Sequence, residues 1–445
     1  MPFLAQEHYP IPHSDINSWL FDTPRYDWDE PIYIDGTRPK DNFIAARKAK
    51  ATIRRLVAGL RRLGLQQGDA VDLHSFNHIY YPILFLGVIA AGGVFVGTNP
   101  AYTPYELKHA FKIAKVKWVF CAPDLLAPVE KAMSELSLSK DCLVLFNPDG
   151  NGATPGYKQW SDLLVHGEQD WIRFNDLRKS KETEASRMFS SGTTGLPKAA
   201  SVSHHNLIAQ HVLVFEANPR PWRACRLLSL PMFHAATAPA AYCTPLREGS
   251  KAYVFPRFDL EQWFRCSEEY GVTDLVAVPP VVVAAINSPL RHKYSLKSVR
   301  DCKAGAAPLD AKAQARLQAL LGDAPFTQVW GMTETTCIAT RFKWPNTDTT
   351  GSVGYPIPNI DLKLVDDDGK DISRDDIRGE LCIRGPTVVP GYYENEEANK
   401  RDWDQEGFFH TGDIAYRDGR TKLWYIVDRK KASALHHLSK DGISH

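Results

Sequence analysis

Apolar side chains recur at a spacing near 3.6 residues between positions 42 and 66, and polar side chains fill the positions between them. The positions that define this period are Ile44, Ile53, Leu56, Val57, Leu60 and Leu63. Such a period places the apolar side chains on one face of an α-helix. Gly64 follows the last apolar position, as is typical of a helix end. The segment is therefore predicted to be an amphipathic helix that ends near residue 64.

Short apolar runs then alternate with helical patterns. The predicted strands are 70–73, 94–97 and 118–121, and the predicted helices are 80–91 and 105–114. Parallel strands need a crossover connection, which is usually a helix, so this alternation favours a parallel sheet covered by helices.

The alternation pauses in a polar, irregular stretch between residues 149 and 186 and then resumes. The next predicted strands are 227–230, 252–254, 275–278 and 299–304, with predicted helices at 260–270 and 310–321. Beyond residue 350, short predicted strands are separated by Gly, Pro and Asp turns, as at 361–365, 379–384 and 422–427. This last pattern indicates an antiparallel, β-barrel-like section, in which the acidic run 366–369 is a hairpin turn.

These patterns predict an α/β fold of two parallel-sheet subdomains and a small β-barrel-like subdomain. The expected divisions are an N-terminal α/β subdomain over 1–175, a second α/β subdomain over 176–349, the β-barrel-like subdomain over 350–427, and a remainder over 428–445.

Composition narrows the class of protein. Of 445 residues, 44% are hydrophobic and 24% are charged, as in ordinary globular proteins, and a net charge of +1 offers no case for nucleic-acid binding. No stretch of about 18 apolar residues predicts a membrane span, and no secretory signal pattern opens the chain. The eight cysteines stand singly, which favours reduced thiols in a cytoplasmic protein. The oligomeric state stays open.

One hydroxyl- and glycine-rich segment, residues 188–198, has the composition of a phosphate-binding loop. Its hydroxyls are donors, its glycines let backbone N–H groups turn inward, and its lysine adds a cation. The residues concerned are Ser190, Ser191, Gly192, Thr193, Thr194, Gly195 and Lys198. Pro197 and Ala199 flank the lysine, whereas the common P-loop has Gly-Lys followed by Ser or Thr. The segment suits a nucleoside triphosphate, and the alternative is a surface linker.

Six further motifs follow that loop. They are PMFH at 231–234, AGAAPL at 304–309, QVWGMTE at 328–334, GELCIRG at 379–385, FHTGD at 409–413 and IVDRKK at 426–431. The ordered set resembles the adenylate-forming (AMP-binding) acyl-CoA synthetases, a family that includes 4-coumarate–CoA ligase, fatty acyl-CoA synthetases and firefly luciferase. The resemblance spans residues 40–431, and six ordered motifs remove the linker alternative.

The resemblance implies a two-step reaction. In that family a carboxylate and ATP form an acyl-adenylate and pyrophosphate, and a thiol, usually that of coenzyme A, then displaces AMP. A carboxylate is a poor nucleophile toward an anionic phosphate, so positioning and charge neutralisation must supply the catalysis. The implied cofactors are ATP, Mg²⁺ and coenzyme A, and the implied partner is a small carboxylic acid.

The resemblance also implies roles for single residues. Lys198 and the loop would hold the β- and γ-phosphates, Thr333 would contact the α-phosphate, and Glu334 would hold Mg²⁺, because hard cations favour carboxylate oxygens. The alternative for Glu334 is an exposed residue at a helix start. Asp413 matches the acid that accepts both ribose hydroxyls, and Arg429 matches an arginine near the same ribose. The alternative for Asp413 is a turn aspartate.

The adenine site is expected to be lined by the central motifs. Trp330 stands where the family has Tyr or Phe, and an indole ring can stack on adenine at least as well. The other expected nucleotide contacts are Gly305, Ala306, Ala307, Gln328, Val329, Gly331 and Met332.

The acyl pocket is expected beside His234, which matches a residue that borders carboxylate entry and is implied, with Lys198, Thr333 and Glu334, to be catalytic. The alternative for His234 is a hydrogen-bonded core histidine. The expected lining of the acyl tunnel is Ala236, Gly305, Ala306, Ala307 and Val329. Val329 departs from the family's frequent glycine and should narrow one wall. Because these matched positions carry no charge, an aryl or medium-length aliphatic acid is expected.

Beyond Arg429 the family continues through a hinge into a C-terminal lid with a catalytic lysine. Here Lys431 is followed by ASALHHLSKDGISH, which lacks apolar periodicity, so 428–445 is expected to be a hinge remnant and a divergent tail. With the lid missing, the chain is expected to bind ATP but to form acyl-CoA poorly or not at all, since losing one preorganised donor typically costs about 10²–10³ in rate. The alternatives are a nucleotide- or acyl-adenylate-binding protein without turnover and an adenylation unit that loads a carrier protein.

Overall fold

The structure is a computed structural model that describes residues 1–23, 25–152, 154–190 and 197–430. The strands are β1 (Pro31–Asp35), β2 (Phe43–Ala45), β3 (Ala70–His74), β4 (Val94–Thr98), β5 (Val116–Cys121), β6 (Leu143–Leu145), β7 (Lys158–Gln159), β8 (Glu184–Ser190), β9 (Lys198–Ser203), β10 (Cys225–Leu228), β11 (Lys251–Val254), β12 (Asp274–Ala277), β13 (Asp301–Ala304), β14 (Phe326–Gln328), β15 (Trp330–Met332), β16 (Cys337–Arg341), β17 (Tyr355–Pro356), β18 (Asp361–Val365), β19 (Gly379–Arg384), β20 (Phe409–Arg417) and β21 (Trp424–Arg429). The predicted residues Ser191, Gly192, Thr193, Thr194 and Gly195, and the tail 431–445, lie outside the described residues.

The helices connect and cover these strands. They are α1 (Ile16–Phe21), α2 (Ala46–Leu63), α3 (Tyr81–Ala91), α4 (Pro104–Ile113), α5 (Leu126–Glu135), α6 (Leu177–Glu182), α7 (His204–His211), α8 (Ala238–Tyr242), α9 (Thr244–Glu248), α10 (Leu260–Glu269), α11 (Pro279–Asn287), α12 (Ala311–Leu321) and α13 (Glu396–Asp402). Short 3₁₀ turns and one π-helical turn at Val212–Glu216 complete the described elements.

Helix α2 confirms the amphipathic segment from residue 46 onward, but Ile44, predicted to belong to the helix, lies on strand β2. The apolar face of α2 is buried, with Ile53, Leu56 and Leu60 fully enclosed, because the 3.6-residue period places these side chains on one side. Gly64 ends the helix with a φ of 101°, a left-handed conformation that glycine adopts without steric cost.

The first sheet has seven strands in the order β7-β6-β5-β3-β4-β8-β9. All neighbours pair in parallel except β8 and β9, which form an antiparallel pair. The predicted strands and helices between residues 70 and 121 are confirmed to within about two residues. The parallel α/β layering is therefore the fold that the alternation predicted.

The second sheet also has seven strands, in the order β14-β13-β12-β10-β11-β1-β2. Only β2 is antiparallel to its neighbour. Its strands β10 to β14 come from the second predicted subdomain, whereas β1 and β2 come from the N-terminal segment. The chain thus completes this sheet with strands that precede the first sheet in sequence.

Sheet membership crosses residue 175 in both directions. Strands β8 and β9 lie beyond it yet belong to the first sheet, and β1 and β2 lie before it yet belong to the second. The expected boundary at 175 therefore does not separate the two sheets. The polar stretch that suggested it contains β7 and α6 and buries Trp160 and Trp171. Strand pairing depends on long-range contacts that a local change in polarity does not encode.

Antiparallel strands form the third part of the fold, as predicted. Four strands pair in the order β18-β19-β20-β21, and a smaller sheet has the order β15-β16-β17. Phe3 pairs with Leu362 on β18, so the N-terminus extends the outer edge of the four-stranded sheet. The acidic run forms a turn in which the Gly369 N–H donates to the Asp366 carbonyl over 3.1 Å.

The buried apolar side chains form one large cluster that joins much of the first α/β layer, strands β1 and β11 and the four-stranded sheet, a second cluster under α10 to α12, and a third around α4 and α5. All eight cysteines are free thiols. Within the described ranges, no helix is both long enough and apolar enough to cross a bilayer.

Candidate active site

A cavity of about 1160 Å³ lies where the second sheet meets the two antiparallel sheets. Every predicted site residue within the described ranges lines it. These residues are Ser190, Lys198, His234, Ala236, Gly305, Ala306, Ala307, Gln328, Val329, Trp330, Gly331, Met332, Thr333, Glu334, Asp413 and Arg429. The motifs that are separated in sequence by more than two hundred residues therefore share one site.

The parallel strands explain how the middle of this set converges. Ala277, Ala304 and Gln328 are in register at the carboxyl ends of β12, β13 and β14, and the residues that follow parallel strands meet at one edge of a sheet. Gly305 and Val329 therefore become neighbours, and a Cβ placed on Gly305 would lie 2.8 Å from Val329 Cγ2. Val329 packs against the glycine, as its predicted narrowing of the wall requires.

Glu334 is buried at the centre of the site. Its Oε1 accepts hydrogen bonds from the hydroxyls of Ser190 and Tyr392, each over 2.6 Å. Its Oε2 is buried and accepts no hydrogen bond from any residue of the described ranges. A buried carboxylate oxygen without a partner is costly in free energy, so this atom is suited to a cation. The alternative of an exposed helix-start glutamate is wrong, since Glu334 is 2% exposed.

No sequence motif indicated Tyr392, because it lies in a loop outside the six motifs. Burial raises the pKa of its hydroxyl far above the usual range, and the negative charge of Glu334 raises it further. The hydroxyl is thus a firm proton donor to Glu334. It leaves Oε2 as the oxygen that can take another ligand.

Lys198 also has a partner that the sequence did not indicate. Its Nζ lies 2.9 Å from Asp402 Oδ2 and 3.9 Å from the centre of the Tyr392 ring. Burial acts to raise the pKa of Asp402, but hydrogen bonds from Arg401 and Lys198 outweigh it and lower that pKa. The predicted phosphate-binding cation is therefore held by a charged aspartate.

Asp413 lies on β20 and is buried between two side chains from other strands. The Trp330 indole N–H donates to its Oδ2 over 2.8 Å, and the Arg429 Nε–H donates to its Oδ1 over 2.9 Å. Each oxygen of an ionised carboxylate can accept about two hydrogen bonds. The Asp413 carboxylate therefore keeps acceptor capacity for further hydroxyl groups. Its two side-chain partners from other strands distinguish it from an aspartate that serves only a local turn.

The loop residues beside the adenine site have structural partners. The Gln328 side-chain amide accepts from the Leu309 N–H and donates to the Leu309 carbonyl, both over 3.1 Å, so it holds the 305–309 loop. Gly331 lies so close to β16 that a Cβ would be 1.6 Å from the Cys337 carbonyl oxygen. Thr333 is buried with its hydroxyl 3.5 Å from the Phe189 carbonyl.

His234 faces the cavity on the acyl side. Its Nδ1 accepts a hydrogen bond from the Ala236 N–H over 3.1 Å, which leaves Nε2 to carry the proton of the neutral ring. The ring is open to the cavity but surrounded by protein, and this burial lowers its pKa. Neutral His234 can therefore donate to a carboxylate without adding charge, and it is not the enclosed core histidine of the alternative.

The matched positions of the acyl wall are uncharged, but the cavity has charged residues farther in. They are Arg220, Arg226, Asp274, Asp301, Lys303 and Arg341. The sequence contained one signal for them: Lys303 is two residues before Gly305, and alternate residues of a strand share a face.

No group of three or more His, Cys, Asp or Glu within the described ranges could hold a metal ion by itself. Mg²⁺ is commonly held by one or two carboxylates together with substrate phosphates. Glu334 fits that arrangement, since it offers one unpaired oxygen beside the predicted phosphate site.

Comparison with known proteins supplies an independent view of this site. A family model described as AMP-binding enzyme matches residues 25–393. The phenylacetyl-CoA ligase epaB of Aspergillus niger is 46% identical over 97% of this chain and 81% of its own length. The acyl-CoA synthetase ACTT5 of Alternaria alternata is 48% identical over 90% of this chain and 70% of its own length. The crystal structure of ATP-bound MatB from Rhodopseudomonas palustris is 25% identical, with a TM-score of 0.80 over 94% of this chain and 79% of that one.

Proposed function

The chain belongs to the AMP-binding enzyme family, and from that premise we propose that it activates a small carboxylic acid with ATP and transfers the acyl group to coenzyme A. One observation carries the proposal: a single cavity joins the Glu334, Lys198 and Asp413 cluster to the acyl wall formed by His234 and Val329. Both reactants of an adenylation can meet there.

The nucleotide half of the site has donors for the phosphates of ATP and an acceptor for its ribose. Lys198 supplies a cation for the β- and γ-phosphates, and Thr333 a hydroxyl for the α-phosphate. Asp413 accepts the ribose hydroxyls, with Arg429 and Trp330 holding its carboxylate in place. Charge neutralisation of this kind is the main source of catalysis in phosphoryl chemistry.

Mg²⁺ fits the Oε2 of Glu334, which accepts no hydrogen bond from the part of the chain that the structure describes. When bound there with phosphate oxygens, it supplies positive charge that favours departure of pyrophosphate. Ser190 and Tyr392 hold the other oxygen of Glu334 and so fix the orientation of the carboxylate.

The first step joins acid and nucleotide. A carboxylate oxygen of the acid attacks the α-phosphorus of ATP, the bond between the α-phosphorus and its bridging oxygen breaks, and pyrophosphate leaves. His234, neutral because burial lowers its pKa, orients the carboxylate through the Nε2–H. In the second step the thiol of coenzyme A attacks the acyl carbon, loses its proton to solvent, and releases AMP.

The acid we propose is small and aromatic or of medium chain length. The relative epaB is named a phenylacetyl-CoA ligase, and the wall of Gly305 and Val329 leaves a narrow entry. The eight free thiols favour a reducing compartment such as the cytoplasm.

Product analysis tests the proposal. The protein is incubated with ATP, Mg²⁺ and coenzyme A, and with phenylacetic, 4-coumaric or hexanoic acid in turn. We expect AMP, pyrophosphate and the matching acyl-CoA, with no ADP, and the ratio of acyl-CoA to pyrophosphate measures how well the second step follows the first. ATP binding without pyrophosphate exchange on any acid would instead identify a nucleotide-binding protein. Acyl transfer only to a phosphopantetheine-bearing protein would identify a carrier-loading unit.

A further inference from the structure

Charged residues line the part of the cavity beyond Gly305, which we call its inner end, whereas the acyl wall at Gly305 and Val329 is uncharged. Strand β13 shows the change most directly, because Asp301, Lys303 and the following Gly305 occupy alternate positions and so share one face. Lys303 therefore lies about 7 Å deeper than Gly305 along the strand. Gly305 has no side chain to block the acyl wall, and Lys303 is the next residue on the same face of β13.

The face of the sheet beside Lys303 is open. Val276, which pairs with Lys303 from the neighbouring strand β12, is 54% exposed although it belongs to a central strand. Both residues line the cavity. The cavity thus extends past the matched acyl positions to the level of the charged residues.

Cations outnumber their buried acidic partners at this level. Asp301 is shared by Arg220 and Lys303, and Arg220 also pairs with Asp274 over 2.6 Å. Arg341 has no carboxylate within ion-pair distance among the described residues, and its guanidinium donates to the carbonyls of Val214 and Phe342, the latter over 3.1 Å. A buried network that served only stability would be expected to balance its charges.

Unsatisfied polar atoms accompany this excess of positive charge. The Oε1 of Gln210 and the Nε of Arg220 are buried and make no hydrogen bond within the described ranges. Both residues line the cavity, and Gln210 is 3% exposed. Buried polar atoms normally have partners, so these atoms indicate a polar group that the bound substrate brings. The Arg220 Nε–H lacks an acceptor, which a substrate carboxylate or hydroxyl can supply, and the Gln210 Oε1 lacks a donor, which a hydroxyl can supply.

We propose that this charged inner end, formed by Lys303, Arg220, Arg341 and Gln210, recognises an oxygen at the far end of the acid substrate. The substrate class is then a carboxylic acid with a distal carboxylate or hydroxyl group, in place of a plain hydrocarbon tail. This rests on the proposed function, because it places the reacting carboxylate near His234 and the tail deeper in the same cavity.

The state of Lys303 is compatible with such a ligand. Burial lowers its pKa to about 7, with Asp301 acting in the opposite direction and Arg220 adding to the lowering. A distal carboxylate would favour the protonated lysine and offset the neighbouring cations. A methyl group in the same place would leave the cations and the Gln210 oxygen desolvated.

Matched acids test the proposal through binding and turnover together. Binding of 4-methyl-, 4-hydroxy- and 4-carboxyphenylacetic acid is measured by calorimetry, together with the chain-shaped set of heptanoic, 6-hydroxyhexanoic and adipic acid. Pyrophosphate exchange is measured on the same acids. In at least one set, the acid with a distal oxygen should bind about tenfold tighter than its methyl-ended counterpart, as one buried charge-assisted hydrogen bond allows.

Variants then show which residue binds the distal oxygen of the acid. K303M should remove most of that preference while leaving ATP binding and methyl-ended acids within about twofold, an expectation based on the loss of one hydrogen bond. K363M is the matched control, since Lys363 is also buried and paired with acids, Asp404 and Glu406, on β18. The wild-type ligand series decides the matter even where K303M does not fold.

The outcomes separate the two proposals. Tighter binding of the acids with a distal oxygen, without pyrophosphate exchange on any acid, would support the inner recognition site and contradict the ligase function. Acyl-CoA formation from every acid with equal or better binding of the methyl-ended members would support the ligase and overturn the recognition site.

Discussion

The indole N–H of Trp330 donates a hydrogen bond to Asp413 Oδ2 over 2.8 Å, across 83 positions of sequence. Arg429 donates to the other oxygen of the same carboxylate. The family usually has Tyr or Phe where this chain has Trp330, so the indole both faces the predicted adenine site and orients the predicted ribose acceptor. A phenyl ring could do only the first.

Replacing Trp330 by Phe should therefore raise the KM for ATP by about tenfold, because a hydrogen bond to a charged acceptor contributes ~1.5 kcal/mol. The KM for the acid should stay unchanged. W171F is the control, since Trp171 Nε1 donates to Ser18 in a distant part of the fold. Equal changes in both variants would contradict the orienting role.

Replacing Glu334 by Gln keeps an oxygen that can accept from Ser190 and Tyr392 but removes the negative charge. Pyrophosphate release should fall by about 10²–10³, and the remaining activity should need higher Mg²⁺. The measurement is an Mg²⁺ titration at saturating ATP, with E184Q as control because Glu184 pairs with Arg187 at the opposite end of β8. An unchanged Mg²⁺ dependence would remove Glu334 from the cation site.

The ion pair between Lys198 and Asp402 competes with ATP for the lysine. D402N should lower the KM for ATP by a few-fold, and K198M should raise it by about tenfold, in the range of partly buried charge pairs. In the double variant, the D402N benefit should vanish, because it acts only through Lys198. Independent, additive effects in this mutant cycle would show that Asp402 does not hold Lys198 back.

The contact between Gly305 and Val329 sets the width of the acyl entry. G305A should lower kcat/KM for phenylacetic acid by about tenfold, since its Cβ would lie 2.8 Å from Val329 Cγ2 and one methyl group in a pocket is worth ~1–3 kcal/mol. V329A should restore activity in the double variant and, alone, favour bulkier acids. If V329A does not rescue G305A, the two residues do not share the entry.

The lysine at the inner end of the cavity should make stability depend on pH. Burial lowers the pKa of Lys303 to about 7, while an unfolded lysine titrates near 10.4. Between these values the unfolded chain keeps a proton that the folded chain has released, so folding becomes more favourable as pH rises from 7 to 9. Below pH 7 both states are protonated, and this contribution is constant.

The free energy of unfolding of the wild type relative to K303M should therefore increase between pH 7 and pH 9 by at most ~1.4 kcal/mol per pH unit. In a chain of 445 residues this raises the relative Tm by about 1 °C for each kcal/mol. K363M is the control, because the hydrogen bonds that Lys363 donates to Asp404 and Glu406 overcome the effect of burial and raise its pKa. Its contribution changes only at higher pH. A flat difference for K303M over this range would show that Lys303 stays protonated.

Much of the fold was predictable because its signals are local. The periods of α2 and of the strands between 70 and 121 depend on residues a few positions apart, and the strand bounds differ from prediction by about two residues. The boundary near residue 175 failed to divide the sheets for the opposite reason. Strand β1 pairs with β11, more than two hundred residues away, and β2 joins the sheet through β1, a choice that no local pattern encodes.

The residues of the candidate site were likewise predictable only where a local motif contains them. Lys198, Glu334 and Asp413 were indicated by motifs, but Tyr392 and Asp402 were not, since each lies outside a motif and meets its partner only in the folded chain. Asp402 is 204 positions from Lys198. The charged inner end was missed because the matched acyl positions are uncharged.

The amino-acid sequence alone determined the family, the layered α/β fold and the order of the site motifs, because short spacings and residue types encode strand, helix and loop chemistry. Tertiary structure alone decided which oxygen of Glu334 has no hydrogen-bond partner among the described residues, which residue holds Lys198, that Trp330 orients Asp413, and what lies beyond Gly305. These are contacts between side chains far apart in sequence, and burial in a shared cavity makes them strong by removing water.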